Sequence, residues 1–338
     1  MCFPRNETPF LIVKHGVTLN IRRLLVALGS IAAAAAFTIP TATADAAVTK
    51  VENTVEIRCA FTILRQSSDW YFPAGTPKAL LWLQHGFAGA NDSVEDTAKK
   101  FSAQGFLVFA PTLPTANTFG CTLENLGNNT DFLHNVADLF GKAADPGDKL
   151  GRSFTDAKNK AKRPELTLPK AMVFAGHSAG GEAVPYVTQA LRADYPAAFA
   201  SVRGLILFDP VKSFVGNNLG NALNHLSNTT LPILAISSPP YACNRNASGT
   251  NELIAQISRP FHGVRLTSGS HIDVEASSAP APDKIACGTP QAKNVSALQT
   301  LSVAWAGDFV SGTTSADYYP GGTYYETQRA AGTVQTLP

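Results

Sequence analysis

An α/β fold, with a mostly parallel central sheet and helices on both of its faces, is what this sequence predicts. Short apolar runs of strand length alternate with helix-length amphipathic segments through most of the chain, the repeated pattern of strand and crossover helix. The central runs, such as Leu80-Leu81-Trp82-Leu83 and Leu205-Ile206-Leu207-Phe208, are apolar at every position, as strands covered on both faces must be. One run passes straight into Gly176-His177-Ser178-Ala179-Gly180, and a helical pattern follows, which marks a sharp strand-to-helix turn.

The first 46 residues differ from the rest. Arg22 and Arg23 precede an apolar stretch from Leu24 to Ile39, and Ala44-Asp45-Ala46 supplies the small-x-small pattern of a signal-peptidase site. Residues 1–46 are therefore expected to be a leader with a secretory signal peptide, cleaved after Ala46, and residues 47–338 a single domain. The rival is a membrane anchor, but this stretch is short and Ala-rich for a hydrocarbon core roughly 30 Å thick. Residues 1–16 fit poorly as the start of such a signal, and Val17 is a candidate start of translation.

The elements follow in order. Strands are expected at Thr54–Ile57, Ala79–Leu83, Phe106–Ala110, Ala171–Ala175, Leu205–Phe208, Ile233–Ile236 and Gly263–Leu266, most with Gly, Pro or Asn close by. Helices are expected at Ser93–Gln104, Thr130–Lys142, Ala179–Arg192, Glu252–Ile257 and Asn294–Phe309. The Asn- and Gly-rich stretch Lys212–Asn228 reads as a loop or a small cap. The tail after Ser311 carries Tyr318, Tyr319, Tyr324 and Tyr325, too aromatic for a disordered end, so it is expected to pack back on the body.

Of the 338 residues, 45% are hydrophobic and 15% charged, ample for a large core. The 27 basic and 25 acidic residues become equal in number once residues 1–46 are removed, since four basic and two acidic residues go with them. With no basic stripe, a nucleic-acid partner has no electrostatic support. Four cysteines remain beyond the leader: Cys59, Cys121, Cys243 and Cys287. An even number in an exported chain predicts two disulfides. Of the three possible pairings, Cys59 with Cys121 and Cys243 with Cys287 is favoured, because the second pair flanks segments assigned below to the active-site edge. None has the CxxC spacing of a structural zinc site.

The pentapeptide at Gly176–Gly180 carries the chemistry. A serine held on a sharp turn at φ > 0 projects its hydroxyl, and glycines two positions either side let strand and helix approach without clashing. The turn also sets Ser178 at a helix N-terminus, whose free N–H groups favour an anionic intermediate. The alternative is a glycine-rich turn holding a chance serine. His177 occupies the variable slot of the pentapeptide and cannot fold back onto the hydroxyl of its neighbour.

This element order and pentapeptide resemble the α/β-hydrolase superfamily over nearly all of residues 50–310. By that resemblance Gln84-His85-Gly86-Phe87, after the second predicted strand, matches the family's His-Gly segment, and the backbone N–H groups of Phe87 and Ala179 would form the oxyanion hole. The family's order of nucleophile, acid and histidine puts the base in the loop after the last parallel strand, where Ser268-Gly269-Ser270-His271 stands, so His271 is the expected base. His262 is its understudy, on the wrong side of that strand. Many relatives place the acid after the penultimate strand, but Ile233–Ile236 is followed by SSPPYACNRNASGTN, with no carboxylate before Glu252. One strand earlier, Asp209 in Phe208-Asp209-Pro210-Val211 resembles the acid of the chlorophyllase-like branch. Asp273 stands too close to His271 in sequence to orient it easily, and Glu182 is expected to complement its helix N-terminus or line the pocket.

The resemblance implies a secreted serine hydrolase that cleaves carboxylic esters through Ser178, Asp209 and His271, with lipase, esterase or cutinase-like activity and no cofactor or metal. A small-molecule, lipid or polymeric ester is the expected partner, and a monomer the expected state. The pigment substrate of chlorophyllases is not carried over to an exported chain. An amidase or peptidase would use the same triad, and a non-catalytic binding protein would keep the fold without the chemistry.

Overall fold

The computed structural model describes residues 47–338. The expected leader and its cleavage after Ala46 fall outside the described residues. The described chain opens with a hairpin, β1 (Thr49–Cys59) and β2 (Thr62–Phe72), in antiparallel register with Cys59 opposite Thr62 across the turn Ala60-Phe61. The sequence predicts only Thr54–Ile57 here. The polar run Arg65-Gln66-Ser67-Ser68-Asp69 breaks the alternation that would advertise β2, yet it is strand because Asp69 is buried against Lys50 of β1 at 3.1 Å.

Beyond the hairpin come β3 (Ala79–Gln84), α1 (Glu95–Ala103), β4 (Phe106–Pro111), α2 (Thr130–Gly141), α3 (Lys149–Lys160), β5 (Met172–His177) and α4 (Gly180–Asp194). A single turn, α5 (Pro196–Phe199), leads to β6 (Val202–Phe208), α6 (Asn218–Ser227), β7 (Ile233–Ser237), α7 (Ser248–Gln256) and β8 (Gly263–Leu266). Next are α8 (Ala281–Cys287), α9 (Ala292–Ser311), α10 (Thr323–Ala330) and β9 (Val334–Thr336). The strands form one sheet in the order β1-β2-β4-β3-β5-β6-β7-β8-β9. From β4 to β8 every neighbour is parallel; β1, β2 and β9 are antiparallel additions at the two edges.

Alternate residues of each central strand feed two separate cores, which is why those strands are apolar throughout. Leu80 and Trp82 join Leu107, Phe109 and Phe174 beneath α2, α3 and α4, while Leu81 and Leu83 join Val108, Val173 and Ile206 beneath α1 and α9. The Trp82 ring lies 4.9 Å from Phe140 and 5.2 Å from Phe174, centroid to centroid. Each such buried aromatic contributes roughly 1.5–3 kcal/mol.

The tail packs back, as the tyrosines predict. Tyr325 of α10 is buried, and β9 pairs with β8. The Asn-rich stretch Lys212–Asn228 holds α6, whose Leu219, Leu223 and Leu226 enter the core. Disulfides join Cys59 to Cys121 and Cys243 to Cys287. Among the described residues no helix is long and apolar enough to cross a membrane. In a parallel sheet of this kind the strands deliver their following residues to one edge, the usual place for a ligand. The segments after β3, β5, β6 and β8 all meet there.

Candidate active site

Ser178 occupies the turn between β5 and α4 with φ of 54°, a left-handed conformation that costs a non-glycine residue on the order of 1–3 kcal/mol. The surroundings hold it there. Its N–H donates to the Phe208 carbonyl at 3.0 Å, and its own carbonyl accepts from the N–H groups of Gly181 and Val211 at 2.9 and 3.1 Å. The flanking glycines are required by close approach. A Cβ on Gly176 would stand 2.2 Å from the Gly180 carbonyl oxygen, and one on Gly180 would stand 2.6 Å from that of His85.

His271, in the loop after β8, places its Nδ1 2.7 Å from Asp209 Oδ2. A carboxylate only accepts, so Nδ1–H is the donor and Nε2 is left free to accept a proton. Asp209 directly follows β6, is itself left-handed at φ of 41°, and is buried. Its charge is met by a ring of donors. Ser238 donates through its N–H at 3.0 Å and its hydroxyl at 2.5 Å, and Asn244 Nδ2 lies 3.3 Å from both carboxylate oxygens. The backbone of His271 is pinned separately. Its N–H donates to Tyr241 Oη at 2.6 Å, and that hydroxyl donates to the Cys287 carbonyl at 2.8 Å, beside the Cys243–Cys287 disulfide.

A cavity of about 200 Å³ is lined by Ser178, His271, Phe87, Ala179 and Gly86. The residues expected to form the oxyanion hole therefore face the same space as the serine. The His-Gly segment is rigidly placed. His85 is buried, its Nδ1–H donates to the Gly86 carbonyl at 2.7 Å, and its Nε2 accepts the Leu113 N–H at 3.0 Å. Burial pushes its pKa down to about 4, so the ring stays neutral and keeps that donor and acceptor pair. A Cβ on Gly86 would lie 2.9 Å from Ser178 Cβ, so only glycine lets this segment come so near. Larger cavities of about 840 and 500 Å³ open elsewhere, and neither is lined by a histidine.

The remaining candidates are otherwise engaged. His262 has a ring nitrogen 2.6 Å from each of two backbone carbonyls, of Ile257 and Pro338. Asp273 accepts the N–H of Ser270 at 2.9 Å and so braces the loop of His271 from within. Glu182 is buried and accepts both the N–H and the hydroxyl of Ser213, which ties α4 to the segment after β6. Ser238, Tyr241 and Asn244 are neighbours of Asp209 and His271 that sequence reading misses. All three lie in the segment after β7, where the missing carboxylate is conspicuous, and its excess of hydroxyl and amide groups is the one available signal. Among the described residues no group of three or more His, Cys, Asp or Glu side chains is arranged to hold a metal ion.

Against known proteins, the chain matches no family model and no curated sequence. Among solved structures it is similar to a ferulic acid esterase from Streptomyces cinnamoneus. The TM-score is 0.55 over 88% of this chain and 98% of that one, with 13% sequence identity. Sheet order and this likeness together define the fold: the chain has the α/β-hydrolase fold.

Proposed function

We propose that the protein is a secreted serine hydrolase that cleaves carboxylic esters through Ser178, His271 and Asp209. One observation carries the reading. Ser178, strained on the β5–α4 turn, shares a small cavity with His271, whose Nδ1 is bonded to the buried carboxylate of Asp209. In this reading His271 Nε2 takes the proton of Ser178 as the hydroxyl oxygen attacks the ester carbonyl. The N–H groups of Phe87 and Ala179 receive the oxyanion, each worth about 2.7–4 kcal/mol of transition-state stabilisation. His271 then protonates the departing alcohol, and water repeats the cycle on the acyl-enzyme.

The leader pattern and the two disulfides support export to an oxidising compartment. The fold neighbour is a ferulic acid esterase, so in this reading esters of ferulic acid join simple acyl esters as candidate substrates. The test is turnover of p-nitrophenyl esters of graded chain length, methyl ferulate and a matched p-nitroanilide by wild type and Ser178→Ala. Ester turnover that Ser178→Ala abolishes supports the reading. Anilide cleavage outrunning the matched ester would make the enzyme an amidase, and equal rates in Ser178→Ala would remove the serine from the mechanism.

A further inference from the structure

Two polar groups in the wall of the catalytic cavity take no part in that mechanism. His177 and Glu275 are 2% and 3% exposed, and both line the cavity with Ser178. His177 Nε2 lies 2.8 Å from the His271 carbonyl oxygen, which can only accept, so Nε2 carries the ring hydrogen and Nδ1 is a bare lone pair. That Nδ1 has no hydrogen-bond partner, and neither has Glu275 Oε2. Glu275 Oε1 stands 3.5 Å from His177 Nδ1, beyond ordinary hydrogen-bond length. Buried polar atoms are almost always paired, so an orphaned acceptor beside an orphaned carboxyl, on two residues that line the catalytic cavity, points to a ligand group.

The pair adjoins the serine: a Cβ on Gly86 would lie 3.1 Å from His177 Nδ1 and 2.9 Å from Ser178 Cβ, so Gly86 packs directly against both residues. Burial pushes Glu275 up to about 8, so its carboxyl carries a proton at neutral pH and acts as a donor. A lone pair and an O–H group side by side are the complement of one hydroxyl, which both donates and accepts. Of the charged residues that line the cavity, Arg245 is matched to Glu124 at 2.6 Å, and Asp283 stands with them.

We propose that His177 Nδ1 and the Glu275 carboxyl form a subsite that receives a hydroxyl of the substrate, so the preferred esters carry a free hydroxyl near the scissile carbonyl. This rests on the ester-hydrolase reading above. The hydroxyl can belong to the acyl or the alcohol portion, and two matched pairs separate these. Ethyl 3-hydroxybutanoate against ethyl 3-methylbutanoate tests the acyl side, and 2-hydroxyethyl butanoate against propyl butanoate the alcohol side.

The expected result for wild type is a kcat/KM ratio of about tenfold or more in favour of the hydroxyl member of one pair, since a site built to bond a hydroxyl rejects the analogue lacking it. Glu275→Met should bring that ratio to about 1, whereas Glu275→Gln, which still offers a donor and an acceptor, should retain it. If Glu275→Met does not fold, His177→Leu removes the acceptor and carries the same outcomes. Wild-type ratios near 1 in both pairs, or a preference that survives Glu275→Met, would overturn the subsite while leaving the esterase intact. Failure of wild type to hydrolyse any of the four esters would overturn this inference, and failure on the p-nitrophenyl esters and methyl ferulate as well would overturn the ester reading with it.

Discussion

Replacing Asp209 by Asn tests the acid most sharply, because the amide keeps the shape and changes only what each atom can donate. The carboxylate now accepts on both oxygens. Oδ1 faces the Ser238 N–H and Asn244, while Oδ2 faces the Ser238 hydroxyl, Asn244 and His271 Nδ1. If the new NH₂ took the Oδ1 position, it would meet the fixed Ser238 N–H, at a cost of about 1–3 kcal/mol, whereas Asn244 Nδ2 lies equally near both positions and does not distinguish them. At the Oδ2 position the Ser238 hydroxyl can turn to accept, and His271 can shift its ring hydrogen to Nε2. The second arrangement wins by roughly 1–3 kcal/mol, and it leaves the imidazole without a lone pair toward Ser178. A 1.4 kcal/mol difference is about tenfold, so kcat on a p-nitrophenyl ester should fall between about 5-fold and 150-fold; the same change in a serine protease costs about 10⁴. KM and the thermal midpoint should move little. An Asp209→Asn enzyme within about threefold of wild-type kcat would refute both the acid assignment and this tautomer argument.

Gly86→Ala should lower kcat by about 10²–10³ through displacement of the Phe87 N–H, because the added methyl stands 2.9 Å from Ser178 Cβ; wild-type steady-state rates would show that this segment is not the oxyanion hole. The double variant Cys243→Ser/Cys287→Ser should lose about 2–5 kcal/mol in denaturant melts and also lose activity, since Cys287 anchors the tyrosine that pins His271. Cys59→Ser/Cys121→Ser should lose comparable stability with kcat largely kept at permissive temperature, because neither residue lines the cavity. Stability should also depend on pH from both sides. Burial raises Asp273 to about 6 and Glu275 to about 8, above their ordinary values, so folding favours their protonated forms and stability declines as pH rises from about 4 through 8. His85, lowered to about 4, acts oppositely and loses its contribution as pH falls below about 6.5. Thermal midpoints measured from pH 5 to 9 should therefore fall less steeply in Glu275→Gln than in wild type on the alkaline side, and equal slopes would contradict the buried-carboxyl argument.

What the sequence reveals depends on where the information lies along the chain. β5 and its turn are legible because an apolar run, two glycines and a serine are contiguous. β8 and His271 are legible for the same reason. β2 is hidden because its polar residues are matched by partners a strand away, and β9 because its three residues, Val334–Thr336, are too few to carry a period. α3, KLGRSFTDAKNK, buries Leu150, Phe154 and Ala157 on one face, yet its charges outweigh that stripe in a linear reading. The site divides likewise. Ser178, Asp209 and His271 each directly follow a strand or occupy the loop after one, so topology exposes them. Ser238, Asn244 and Tyr241 act through bonds to residues 29 or more positions distant, and no local pattern marks such a bond. His177 and Glu275 are less visible still, because what distinguishes them is the absence of a partner.

The most direct test of the central claim is the mass of the intact protein, followed by peptide mapping, after brief exposure to a fluorophosphonate. A single adduct on Ser178 is expected in the folded wild type, none in Ser178→Ala, and much slower labelling in Asp209→Asn, with loss of ester turnover tracking the extent of modification. An unmodified Ser178 in protein that still hydrolyses esters, or an adduct on another residue that abolishes turnover, would contradict that claim.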